Sequence, residues 1–332
     1  MEFRTPVAVP LSPHPITLRT PVLAVGSCFA EVMGERLAAN KFTTLVNPFG
    51  VIFNPVSLAG LLDKALTGEP AGREGLVATR EGWRHYDFHS RLGAADADAL
   101  LAQTDAALAA AGRFLADAGW LLLTLGTAFV YRRHDNGAVV ANCHKVPNAS
   151  FARELLPLDG IQSALDGVFA RLARQHPRLR VLLTVSPVRH TRDTLPLNAV
   201  SKSLLRVACH ALAEQHPHVQ YFPAYEIMLD DLRDYRFYQP DMIHPSEVAE
   251  AYIWEQLASA YFDGETRTFL REWDKLRQAL AHRPFHPHTE AHRNFLRSTL
   301  ARLQAWHDTV PLEAEIAQVT AQLKSSSNPP LS

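Results

Sequence analysis

Apolar residues along this 332-residue chain occur in two alternating kinds of segment. Short unbroken runs at 21–25, 120–125 (WLLLTL), 181–185 and 219–222 have the length and continuity of strands buried on both faces. Between them, apolar positions recur with helical period. In 28–39, Phe29, Val32, Met33 and Leu37 share one face. A helix is expected after Asn54-Pro55, with proline in its first turn, and others over 97–115 (alanine-rich), about 161–175 and about 198–214. Strand followed by helix, several times over, predicts a mostly parallel sheet between two helical layers. The stretch 66–95, rich in Gly, Arg and Glu, reads as an excursion outside the core.

Past residue 244 the pattern turns wholly helical. Pro245 is expected to open a helix with Val248, Tyr252, Ile253, Leu257 and Tyr261 on its buried side. Phe269, Leu270, Trp273, Leu276 and Leu280 mark a second, followed by a Pro/His linker at 282–288 and a longer helical region from about 289. Leu312, Ile316, Val319 and Leu323, spaced 4-3-4, form either a packing face on the main domain or a dimer seam. The division expected is a main α/β domain over 1–264, a helical extension over 265–324 and a disordered tail over 325–332.

Composition narrows the picture. With 47% apolar residues the chain can bury one sizeable core. A formal charge of −1 gives no electrostatic reason to expect nucleic acid or an anionic membrane. No apolar run approaches the ~18 residues of a membrane span, and prolines interrupt the N-terminal segment where a signal sequence would be apolar. Three cysteines without metal-finger spacing fit a reducing compartment, so a cytoplasmic protein without metal or cofactor is expected.

The candidate chemistry begins at Ser27. A hydrolytic serine needs exposure at an element end, a base within reach and donors for the oxyanion. Ser27 follows Gly26 where a buried strand gives way to a helix, whose free amides favour developing negative charge. A serine there also caps the helix, so position alone leaves both roles open. Residues 240–246 (PDMIHPS) supply a partner: Asp241 and His244, three apart before a helix, can meet carboxylate to imidazole and leave the second ring nitrogen for the serine. Cys28 stands about 100° from Ser27 around the helix and is read as a small buried side chain, although a helix N-terminus would lower its pKa.

The string Gly26-Ser27-Cys28-Phe29-Ala30 matches the motif that names the GSCFA family, which resembles the SGNH/GDSL hydrolases. Further blocks resemble the same family: Asn47-Pro48-Phe49-Gly50 with Asn54-Pro55, Leu125-Gly126-Thr127-Ala128, Asn142-Cys143-His144, Ser186-Pro187-Val188-Arg189 and Asp241-Met242-Ile243-His244-Pro245. They extend over residues 20–262. The resemblance implies a three-layer, flavodoxin-like α/β/α SGNH fold, with Ser27 as nucleophile, His244 as general base and Asp241 as its orienting carboxylate. It also implies oxyanion donors from a glycine and an asparagine of middle blocks. By order Gly50 is the glycine, but Ala128 stands where the asparagine belongs, so Thr127 or Asn54, or Asn142 from a neighbouring loop, would have to substitute.

The expectation is therefore a serine esterase that removes an acetyl or other small acyl group from a carbohydrate or glycoconjugate through an acyl-enzyme on Ser27. Rivals are an O-acyltransferase with the same triad and a non-catalytic binding or assembly protein. Asn142, His144 and Arg189 are candidate substrate contacts. The partner expected is a small-molecule or glycan ester, with homo-oligomerisation open through the C-terminal helices. Ser201 and Lys202 are assigned to a helix surface. The histidines 282, 286, 288 and 292 are assigned to a solvated linker rather than a metal site.

Overall fold

A computed structural model of the protein describes residues 4–327. The chain runs β1 (Val22–Gly26), α1 (Cys28–Ala39), β2 (Thr44–Val46), α2 (Pro55–Thr67), β3 (Leu76–Thr79), β4 (Gly82–His85), α3 (Ala97–Asp117) and β5 (Trp120–Leu125). It continues through β6 (Phe129–Arg133), β7 (Val139–Val140), β8 (Phe151–Leu155), α4 (Leu158–Gln175), β9 (Arg180–Val185), α5 (Leu195–Gln215), β10 (Val219–Tyr221) and the short α6 (Ala224–Glu226). The C-terminal part comprises α7 (Glu247–Tyr261), α8 (Gly264–Ala281), α9 (Glu290–Trp306) and α10 (Glu313–Ser327).

Five strands form one parallel sheet in the order β10-β9-β5-β1-β2. Strands β1 and β5 are buried along their whole length because helices cover both faces. Their side chains alternate between two cores, as the two-residue period of a strand requires. Leu23, Val25, Leu121, Leu123 and Leu125 enter a core shared with α2, α3, α4 and α5. Val22, Ala24, Trp120 and Leu122 face the opposite core, built from α1, α7 and the C-terminal helices. The result is the expected α/β/α architecture.

The excursion at 66–95 forms the antiparallel hairpin β3–β4 and is anchored by Phe88 and Leu92, both buried in the first core. A second small antiparallel sheet, β7-β6-β8, follows β5; its strands of two to five residues lay below the resolution of the hydropathy pattern.

Several expectations are corrected. Helix α7 starts at Glu247, capped by Ser246, while Pro245 bridges to Tyr238. Val248 is 66% exposed, and Ala249, one position on, takes the buried register with Ile253 and Leu257. Ser201 and Lys202 lie not on a surface but on the buried face of α5, each 1% exposed. The helical region from 289 is two helices, and α10 runs to Ser327; most of the expected tail, residues 328–332, lies outside the described residues.

The C-terminal stripes are covered from within the chain. Phe269, Trp273 and Leu276 are buried in the second core, and Trp273 Nε1 donates to the Ala39 carbonyl at 2.9 Å. Leu312 and Val319 are buried there as well, with Ile316 packed alongside. Lys41 reinforces the join, pairing with Glu315 at 2.5 Å and lying over the Trp273 ring. The 4-3-4 stripe thus packs within the chain, chiefly against α9.

Candidate active site

Strand β1 ends on a residue that only glycine can occupy. Gly26 has φ +137°, and a Cβ there would stand 2.2 Å from the Thr124 carbonyl oxygen. The tight turn lets Ser27 N–H donate to that carbonyl at 3.1 Å while the chain swings into α1. Ser27 becomes the N-cap: its Oγ, at the positive end of the helix, accepts from the Phe29 amide at 3.3 Å.

Asn47 supports this turn from β2. It is fully buried in a left-handed conformation (φ +40°), and its Oδ1 accepts from the Gly26 amide at 2.9 Å. Its Nδ2 is buried without a partner.

Asp241 and His244 lie on the turn before α7. His244 Nδ1 and Asp241 Oδ2 are 2.7 Å apart. The other carboxylate oxygen accepts from the amides of Ile243 and His244 at 2.8 and 3.0 Å, so one side chain fixes both the turn and the ring. The His244 ring bond and these two amides hold the Asp241 carboxyl down at about 2. His244 Nε2 has no protein hydrogen bond among the described residues, and no direct bond joins it to Ser27 Oγ.

Arg189, which follows β9, ties this turn to the C-terminal end of that strand. Arg189 N–H donates to the Ile243 carbonyl at 3.1 Å, and its guanidinium reaches the Met242 carbonyl at 3.4 Å while lying 3.9 Å from the centre of the Tyr238 ring. Arg189, expected to contact substrate, is thus a clamp on the Asp241–His244 turn. His190 packs on Phe53, and its ring meets the Gly126 backbone, with Nε2 3.3 Å from where a Gly126 Cβ would be. Burial first, then the charges of Lys202 and His244, push the His190 imidazole down to about 3, so it is neutral.

Lys202 itself is sealed in, donating to the Gly126 and Ser186 carbonyls at 2.7 Å each. Among the described residues it has no carboxylate partner, and burial lowers its amine to about 7. It joins the C-terminal ends of β5 and β9 beneath the candidate site.

The three oxyanion donors expected from the sequence are engaged elsewhere. Gly50 N–H donates to the Asn47 carbonyl, and its φ of +78° and the lack of a Cβ make room for His89. Thr127 shares its hydroxyl with Ser201 and accepts from the Phe129 amide; its own N–H goes to Phe53. Asn54 caps α2, using both Oδ1 and Nδ2 on Ser57. The unclaimed buried donor on the Ser27 turn is instead Asn47 Nδ2. Sequence reading counted Asn47 only as part of a family block; a polar residue just past a short strand was its only other signal.

Asn142 accepts from the His144 amide, and His144 lines a separate cleft. Cys28 departs from the expected lowering: burial, and then Glu31, raise its thiol pKa. His282 and His292 both pack against Phe295.

A family model described as the GSCFA family matches residues 21–257, and one for a GSCFA C-terminal domain matches 273–325. No curated protein matches the chain. Among solved structures, one from Streptococcus pneumonia, provisionally described as a platelet activating factor, is 12% identical with a TM-score of 0.39, covering 74% of this chain and 85% of its own. A carbohydrate esterase family 2 enzyme with a carbohydrate binding domain, from Corynascus thermopiles (Myceliophthora fergusii), is 14% identical with a TM-score of 0.37, covering 79% and 69%. Neither score is high enough to bear on function. The family match spans most of the chain, and the protein belongs to the GSCFA family.

Proposed function

We propose that this GSCFA-family protein is a serine esterase that removes an acetyl or other small acyl group from a carbohydrate or glycoconjugate. The observation that carries the reading is the Asp241–His244 pair. A carboxylate held ionised by two amides and an imidazole leaves the far ring nitrogen unclaimed on the turn that Arg189 fastens to the end of β9. A capping serine at the end of β1 needs such a base to become a nucleophile. The preference for a sugar-borne acyl group rests on the resemblance to SGNH hydrolases, since fold alone does not fix the substrate.

In this reading Ser27 Oγ leaves the Phe29 amide and gives its proton to His244 Nε2 as it attacks the acyl carbon. Asp241 holds the Nδ1–H and stabilises the imidazolium that forms. The tetrahedral oxyanion is met by the Asn47 Nδ2–H, in place of the asparagine absent at Ala128. His244 then returns the proton to the departing sugar oxygen as the acyl C–O bond breaks. A water, deprotonated by the same nitrogen, attacks the acyl-enzyme, and collapse releases the carboxylic acid and restores Ser27. The test is a fluorophosphonate probe followed by intact mass and peptide mapping. An adduct on Ser27 is expected; a folded protein that takes no label overturns the esterase reading in favour of a binding role.

A further inference from the structure

A cleft of about 940 Å³ lies beside the β3–β4 hairpin, within the range of sites that enclose an organic ligand. Three cations line it: Arg80 and Arg84 from the hairpin and Lys145 from the loop after β7. The one acid among its lining residues, Glu81, pairs with Lys145 at 2.9 Å and lies 3.8 Å from Arg84, which leaves the rim with a net positive charge. Arg80 is exposed and has no ion pair among the described residues.

The wall beneath these cations is rigid and neutral. His144 Nε2 lies 2.8 Å from the His85 carbonyl, an acceptor only, so that nitrogen carries the hydrogen. Nδ1 is then the acceptor for the Ser90 hydroxyl at 3.2 Å. Burial lowers the pKa of the ring further. His144 and Lys145 are consecutive non-glycine residues with φ of +50° and +61°, a strained pair of the kind concentrated at ligand sites. Asn142 helps hold them by accepting from the His144 amide.

The cleft is also joined to the candidate active site. Ser90 lies between His89, whose Cβ packs on Gly50, and Arg91. Arg91 donates to Glu31 in the first turn of the Ser27 helix at 3.0 Å and to the Asn47 carbonyl at 2.5 Å.

We infer that this cleft binds the acidic group, carboxylate or sulfate, of an anionic saccharide, and so selects acidic over neutral acylated glycans. The choice of saccharide rests on the esterase reading; the attraction for an anion rests on the cleft alone. Arginine supplies planar paired donors suited to either oxyanion.

The test is calorimetric titration of the full chain carrying Ser27→Ala, at low ionic strength, with trigalacturonate, a sulfated trisaccharide and neutral xylotriose. An acidic ligand should bind about ten-fold more tightly than the neutral one, and added salt should erase the difference. The stronger acidic arm identifies the oxyanion. Arg80→Gln and Lys145→Gln, both at exposed side chains and checked for folding by circular dichroism, should each weaken acidic binding and leave the neutral ligand unaffected. Equal binding of acidic and neutral ligands, or acidic binding indifferent to both substitutions, overturns the proposal. Labelling of Ser27 in the unmutated protein reads the esterase reading separately, so the two can fail independently.

Discussion

The two halves of the candidate site are built by opposite means. Ser27 is 4% exposed and held by the most regular part of the molecule: a parallel strand, a glycine that admits no side chain, and a helix N-terminus. Asp241 and His244 are roughly two-fifths exposed and sit on an irregular turn, fixed by one carboxylate and by Arg189. The nucleophile's place follows from the core, whereas the base is positioned by a handful of polar contacts near the surface. Damage to the first half should therefore appear as lost stability, and damage to the second as lost turnover in a folded protein.

The largest effects should come from the reacting groups themselves. Ser27→Ala and His244→Ala are each expected to lower turnover about a thousand-fold or more, and the double variant little further, because such groups act as a unit. Steady-state kinetics on p-nitrophenyl acetate reads this, and Cys28→Ser should keep most of the activity. Independent, multiplying losses would mean that the two residues do not share a reaction.

Gly26→Ala probes the rigid half. The added methyl would meet the Thr124 carbonyl at 2.2 Å on a backbone with φ +137°, so a loss of roughly 3 kcal/mol or more is expected. Urea unfolding measures it. A stable Gly26→Ala protein would show that the turn into α1 can rearrange, and the contrast between the halves would weaken.

Arg189→Ala probes the other half. The backbone bond to Ile243 survives the change, while the guanidinium's contacts with Met242 and Tyr238 are lost. Turnover should fall about ten-fold, with global stability changed by under ~1 kcal/mol, the scale of an exposed cation–π contact. A large drop in melting temperature with normal turnover in the surviving protein would reverse the assignment.

The same division governed what could be read from the sequence. The burial that makes 22–26 and 120–125 strands is written in unbroken apolar runs, and the Gly-Ser step marks where the first of them ends. Asp241 and His244 were legible because three-residue spacing on a turn brings the two side chains together. Asn47 was not, since a buried donor without a partner is a property of everything around it. Val248 was misplaced by one position because Pro245, expected to open the helix, instead bridges to Tyr238 and leaves the cap to Ser246. Ser201 and Lys202 were assigned to the surface on polarity alone, although neighbouring Leu205, Ala208 and Leu212 share their buried face.

Lys202 gives the finest test, because it joins the ends of β5 and β9 beneath the rigid half. Its amine is lowered to about 7 by burial, against an ordinary value near 10.4 in the unfolded chain. Between those values the unfolded chain holds more protons than the folded one, so this group makes stability rise with pH from about 7 to about 10.4. Below about 7 both states carry the charge, and its burial penalty is felt in full. A neutral amine still has two hydrogens, enough for the Gly126 and Ser186 carbonyls it serves. Lys202→Met removes both the titration and the bonds. The stability of the unaltered protein relative to this variant should therefore climb above pH 7, with a slope of at most about 1.4 kcal/mol per pH unit. Urea unfolding of both proteins at pH 6, 8 and 9.5 measures the difference. A gap that stays constant across that range would mean that Lys202 keeps its charge in the core, with the two carbonyls solvating an ammonium rather than an amine.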